Sequence, residues 1–369
     1  MIQPRTKLLH VEALRAFAAL FVVVTHALHE VSEIFAGHAR YFDEKIFPGD
    51  FGVDVFFIIS GFVMVYVSAD KFGTAGSATV FLRRRFIRIA PLYWLMTSVV
   101  LLIVLAAPSL MDNAPKEPLH WLASYAFFPM ARETDGLIRP LLGVGWTLQY
   151  EMFFYLLFAL ALWLPRGKAV AAVVMAITAM VISGRLGETQ STLATFASDP
   201  IMLEFAAGSL LGLAYLNGVR ITSLAFWPMI IVALFALSLM PAFTQDMEIW
   251  RALSYGTPAL MIVAACVLTR KVQVRPVPRL MVSLGASSYA LYLVHPFVLG
   301  VLKVLWTKLG LTALVGFAMA PWAFLTVTLI ICPIVGHVLH LVFEKPITRK
   351  LNSVRWGKHS SDLRVGAAT

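Results

Sequence analysis

Long apolar runs alternate with short polar stretches from one end of the chain to the other. Runs of about 18 or more mostly apolar residues match the length a helix needs to cross the hydrocarbon core of a bilayer. They are continuous rather than alternating, which is the pattern of helices and not of barrel strands. Ten such segments are predicted, at 11–29, 51–69, 91–108, 145–164, 169–184, 200–216, 223–241, 255–270, 283–302 and 320–343. Pro91, Pro165, Gly184, Pro200 and Pro241 punctuate their ends. The expected fold is an all-α, polytopic integral membrane protein. Residues 1–343 would form the membrane domain and residues 344–369 a short basic tail.

Composition agrees with this pattern. The chain of 369 residues is 59% hydrophobic and only 14% charged, with a mean hydropathy of +0.80. A water-soluble domain of that composition would lack polar surface. The two cysteines, Cys266 and Cys332, both lie in apolar runs, which excludes a disulfide framework and a cysteine-rich metal site. The basic amino-terminal start is not followed by a small-residue cleavage site, so the first apolar run is read as a retained span.

Charge sets the orientation. Lysine and arginine concentrate on one set of connections, above all at Arg83, Arg84, Arg85 and Arg88, and in the segments 270–279 and 344–369. The positive-inside rule then places both termini in the cytoplasm. The net charge of +10 follows from topology and contact with lipid headgroups, and gives no reason to invoke nucleic acid.

Ionisable residues inside spans are costly and mark functional pathways. Arg15 and His26, in "LRAFAALFVVVTH", are eleven residues apart. Eleven helical steps return to within about 20° of one face and rise about 16 Å. The arginine is expected near the cytoplasmic end of the first span and the histidine near the outer end. Asp54, in "FGVDVFF", and Glu151, in "GWTLQYEMFF", are expected at the level of His26. A carboxylate beside an imidazole is a general-base arrangement. Glu204, beside the small-residue pair Gly208 and Gly212, reads as an interhelical hydrogen-bonding residue.

At the inner end, Arg85 and Arg88 in "FLRRRFIRIAPLYW" are three residues apart and share a helix face. Arginine forks suit phosphate. Tyr93 and Trp94 adjoin this pair, whereas Arg83 and Arg84 read as topological anchors. An inner phosphate site and an outer base on one helix suggest group transfer across the membrane. Ser288, Tyr292 and His295 in "GASSYALYLVHP" fall on one face, with Pro296 next, and form either a structural polar stripe or a pore lining. The pairs His26 with His29 and His337 with His340 have metal-like spacing but no third ligand, so no metal is expected.

These motifs, in this order and with "FEKP" after the last span, resemble the membrane acyltransferase-3 family, in particular its short branch that acetylates exopolysaccharides and related glycans. The resemblance implies a ten-helix enzyme of the bacterial inner membrane. Such an enzyme takes an acyl group, commonly acetyl, from cytoplasmic acetyl-CoA or another acyl-CoA. It delivers the group to a hydroxyl of a glycan or lipid-linked oligosaccharide at the outer face. It also implies that His26 is the catalytic histidine with Arg15 as its motif partner, and that Arg85 and Arg88 meet CoA, with Tyr93 and Trp94 beside them. Asp54 or Glu151 would orient His26, and Trp146, Tyr292 and His295 are candidates for contacting the acceptor. Many relatives carry a fused hydrolase-like domain, which residues 344–369 are too short to form. The competing class is a transporter or flippase without chemistry; internal repeats or paired broken helices would favour it. A sensory or structural membrane protein would leave the stacked polar residues without a role.

Overall fold

The computed structural model describes residues 8–35, 51–111, 114–187, 191–239, 248–270 and 276–354. The connection 36–50 and the tail beyond residue 354, on which parts of the charge and domain readings fall, lie outside the described residues.

Helices dominate, and the predicted spans fall on them, except that 283–302 crosses a break at Ser287 between two helices. In chain order they are α1 (Leu9–Ile34), α2 (Phe51–Val67), α3 (Ser77–Ala106), α4 (Pro118–Tyr125), α5 (Trp146–Ala161), α6 (Arg166–Leu186), α7 (Thr192–Ala197), α8 (Met202–Leu216), α9 (Phe226–Leu239), α10 (Glu248–Leu268), α11 (Arg279–Ala286), α12 (Ser288–Lys308), α13 (Leu311–Val315), α14 (Ala320–Leu339) and α15 (Lys345–Ser353). Seven stretches of helix, counted through short turns, are long and apolar enough to cross a membrane; α2, α9 and most of α10 form three shorter apolar helices. Large side chains such as Leu102, Leu160, Trp163, Leu224 and Val342 point outward. That suits a molecule whose solvent is hydrocarbon, where burial of apolar surface drives little and close packing does more.

Glycine sets the closest approach. A Cβ on Gly61 of α2 would collide with the Phe205 carbonyl of α8, and one on Gly208 of α8 would collide with the Ile58 carbonyl of α2. Gly212 continues the seam, where a Cβ would come within 2.9 Å of the Phe62 carbonyl oxygen. The two backbones therefore touch, as small-residue seams allow between membrane helices. Glu204 lies buried at this seam against Gly256 of α10.

Two predicted boundaries change. Pro91 lies inside α3, which runs unbroken from Ser77. The arginine cluster and the third span are thus one helix rather than a loop and a helix. A proline removes one backbone donor and disfavours a helix locally, but neighbouring packing overrides it in membrane helices. At the other end, α14 passes through a π-turn at His340–Glu344 directly into α15. Glu344, assigned to the tail by its sequence position, is buried in the bundle.

Candidate active site: an arginine cavity and a histidine pair

A cavity of about 120 Å³ opens between α1, α2, α3, α5 and α12. Its wall carries Arg15, Arg85 and Arg88 together with Ser60, Glu151, Tyr155, Ser288 and Tyr292. The i, i+3 spacing of Arg85 and Arg88 does bring both guanidiniums to one space, because α3 is helical throughout. Arg85 stacks over Phe81 at 5.8 Å, and Arg88 over Tyr289 at 5.7 Å. The partners of the two arginines differ. Arg88 forms an ion pair with Glu344, whose other oxygen is bonded to His340 Nδ1 at 2.8 Å. Arg85 Nε is buried without a hydrogen-bond partner, and so is the Ser288 hydroxyl. Arg83 turns elsewhere and donates to the carbonyls of Leu351 and Val354 at 3.1 and 2.6 Å, closing the end of α15.

Glu151 belongs to this cavity, which corrects its expected level. It accepts hydrogen bonds from Tyr155 and, at 3.0 Å, from Ser60. Ser60 is six residues further along α2 than Asp54, or about 9 Å. The reason is the relative slide of α5 against α2, which helix periodicity does not encode. The charges of Glu151, Glu344, Glu12 and Arg88 all act on Arg15. This end of the bundle is therefore a connected network of three arginines and several carboxylates.

The histidine end is different in kind. His26 Nδ1 is 2.9 Å from the Val22 carbonyl, one turn back on α1. A carbonyl only accepts, so Nδ1 carries the proton and Nε2 holds the lone pair. The ring packs edge-on against His295 of α12, with centroids 4.8 Å apart and planes at 67°. His295 is fully buried. Asp54, also buried, does not reach the expected level of His26: Gly52, two residues before it, already packs against Ala18 and Val22 of α1, one to two turns below the histidine. Neither His26 nor His295 lines the arginine cavity. Tyr292 links the two regions: it lines the cavity and packs at 5.9 Å from the His295 ring. Its hydroxyl donates to the Val144 carbonyl at 2.8 Å and accepts from Thr147 at 2.9 Å.

Three aromatic candidates fall away from the cavity. Tyr93 is buried, stacks on Phe127 at 4.6 Å and donates to the Ser124 carbonyl. Trp94, on the outside of α3, donates to the Tyr125 carbonyl at 2.8 Å. Trp146 packs edge-on against Phe57 and Tyr150. Adjacency in sequence had grouped Tyr93 and Trp94 with Arg88, but five or six helical steps carry a side chain to another face. Sequence reasoning missed Ser60, Tyr155, Tyr289 and Glu344. All four stand in or beside the motifs that carry the resemblance, but their spacing within one helix did not single them out. Among the described residues no group of three histidine, cysteine, aspartate or glutamate side chains could hold a metal ion.

Comparison with known proteins identifies the family. Residues 9–337 match the family described as an acyltransferase domain, Acyl_transf_3. The chain is 34% identical over 307 residues to the exopolysaccharide production protein ExoZ of Rhizobium meliloti, covering 82% of this chain and 90% of that protein. It is 28% identical over 375 residues to the acyltransferase MdmB of Streptomyces mycarofaciens, covering 93% and 92%. No solved structure matches it significantly. The match spans every helix that builds the cavity and the histidine pair, and this chain therefore belongs to the acyltransferase-3 family of multi-pass membrane proteins.

Proposed function

We propose that the protein is an O-acyltransferase of the bacterial inner membrane, with both termini in the cytoplasm. It moves an acyl group, acetyl in the simplest case, from cytoplasmic acyl-CoA to a hydroxyl of an exopolysaccharide or related glycan on the outer side. The observation that carries this reading is the convergence of Arg15, Arg85 and Arg88 on one cavity, with Arg85 Nε and the Ser288 hydroxyl unpartnered. Buried donors without partners are rare, and each calls for an explanation. An anionic, hydrogen-bonding ligand supplies one. The name of the relative from Rhizobium meliloti favours a polysaccharide acceptor.

A cavity of about 120 Å³ is smaller than the roughly 300–1,000 Å³ of pockets that hold a drug-sized ligand. It takes the phosphates of the donor, and the helices part to let the pantetheine arm carry the acyl end towards His26. Arg85, whose Nε has no hydrogen-bond partner, meets the phosphates. Arg88, neutralised by Glu344, fixes the wall.

Chemistry then occurs at the histidine end. His26 Nε2 removes the proton from the acceptor hydroxyl as the oxygen attacks the thioester carbonyl. The tetrahedral intermediate collapses with cleavage of the C–S bond. The imidazolium returns its proton to the CoA thiolate. The products are the glycan ester and CoA, and no external oxidant or reductant is needed. The Val22 carbonyl holds the tautomer this step requires.

The test is a sealed-vesicle assay with radiolabelled acetyl-CoA. Label supplied on the arginine side should appear in polysaccharide on the histidine side. Acetyl-CoA that is neither bound nor consumed, with polysaccharide crossing intact, would favour a flippase instead.

A further inference from the structure

His295 is a buried polar side chain of the bundle core whose hydrogen-bonding capacity the described residues leave unused. It is fully buried, and neither ring nitrogen has a hydrogen-bond partner. The Leu291 and Tyr292 carbonyls lie one turn back on α12 but without hydrogen-bonding geometry. Pro296 lies inside the helix and has no N–H. In a regular helix the residue at 296 would donate to the Tyr292 carbonyl, so that donor is missing here. The neighbours of the ring are Tyr292 and, at 4.8 Å, the ring of His26.

A neutral imidazole offers one N–H donor and one acceptor nitrogen. His26 spends its N–H on the Val22 carbonyl and presents only an acceptor. His295, with no protein partner, is free to present an N–H. A group placed between the two rings must donate to His26 and accept from His295. A hydroxyl does both. A carboxylate cannot donate, and an ammonium cannot accept.

We propose that His295 is a second catalytic residue, whose N–H holds the oxygen of the acceptor alcohol while His26 removes its proton. The pair selects a neutral hydroxyl as the acyl acceptor. During transfer the O–H bond breaks, the proton passes to His26 Nε2, and the new C–O bond forms at the acyl carbon. His295 keeps its own proton throughout and stabilises the charge that develops on the acceptor oxygen. Removing one such donor in other enzymes lowers turnover about 10²–10³-fold. This inference rests on His26 being the base.

The experiment uses the purified full chain in lipid nanodiscs, with acetyl-CoA and unacetylated polysaccharide from a host strain lacking this protein. His295→Phe and His295→Leu remove both nitrogens, whereas His295→Gln retains an N–H donor. The expected result is a loss of about 100-fold in kcat for Phe and Leu. Gln should recover at least tenfold of that, with CoA affinity and melting temperature unchanged in all three. A purely structural role reverses the order, because Phe fills the site better than Gln does. Phe or Leu as active as wild type, or Gln no better than either, overturns the proposal. Two apolar variants ensure that a folding failure of one leaves the contrast with Gln intact. His26→Ala in the same assay separates the two readings. If it is inactive while His295→Phe is active, only the role of His295 fails; if it is active, the base assignment fails.

Discussion

Arg15 and His26 share one helix, yet their surroundings have little in common. Around Arg15 the protein has assembled two more arginines, Glu151, Glu344 and their hydrogen bonds to Ser60, Tyr155 and His340. Around His26 there is a backbone carbonyl and a second imidazole. Dense, mutually paired charge is how a protein fixes a cavity for an anion and keeps it ready. A histidine held by one neutral bond suits proton transfer, because its imidazole can change charge without breaking an ion pair of its own. One helix thus carries recognition at one end and, as proposed, chemistry at the other.

The sharpest way to break that contrast is at His26. His26→Ala should lower transfer by about 10²–10⁴-fold, the usual contribution of a general base. Melting temperature should stay at the wild-type value, since His26 carries no ion pair to another helix among its observed bonds. Near wild-type turnover would remove the histidine end from the reaction.

The arginine end should respond differently to its two forks. Arg88→Ala leaves Glu344, which is 2% exposed, as a buried carboxylate held only by His340. Breaking such a pair costs about 3–5 kcal/mol of stability. Thermal unfolding in detergent should show it, and Glu344→Gln should restore most of the loss. Arg85→Ala strands no partner, so it should leave stability alone and weaken CoA binding by about 1.5–3 kcal/mol, the range of a charge-assisted hydrogen bond. Equal destabilisation by both substitutions would contradict the asymmetry between them.

The two carboxylates once grouped with His26 provide a finer separation. Glu151→Gln should raise the KM for acyl-CoA by roughly tenfold, consistent with loss of a charged hydrogen-bonding group, and leave the pH–rate profile where it was. Asp54→Asn should likewise leave the profile in place, since Asp54 lies below the level of His26. A profile that moves with Glu151→Gln would return that residue to the histidine.

The smallest expected effect lies outside both regions. Gly208→Ala forces α8 away from the Ile58 carbonyl of α2. Overpacking of this kind costs about 1–3 kcal/mol. Because α2 lines the cavity through Ser60 and packs against α1 through Gly52, donor binding and turnover should fall together. Loss of one alone would mean that the two regions move independently.

Much of this was legible in the sequence where one helix decides the outcome. Periodicity placed Arg85 beside Arg88 and Ser288 beside Tyr292, since both members of each pair ride on one backbone. Apolar run lengths located the helices. What sequence left open depends on how one helix slides or rolls against another. Glu151 sits below its expected level because that level depends on how α5 packs against α2, where Ser60 meets it. Tyr93 and Trp94 face other neighbours because α3 continues through Pro91 and fixes their direction. Glu344 read as tail because its partner, Arg88, is more than 250 residues away, and its burial exists only through that contact.

The central claim is that binding of the donor and removal of the proton are separate tasks at the two ends of α1. It is tested most directly by measuring CoA affinity by calorimetry and transfer rate under saturating acetyl-CoA in the same preparations of His26→Ala and Arg85→Ala. His26→Ala should bind CoA as wild type does and transfer almost nothing. Arg85→Ala should bind at least about tenfold more weakly yet approach wild-type turnover once saturated. If both substitutions lose affinity and turnover in parallel, the two ends form a single site and the division of labour along α1 is wrong.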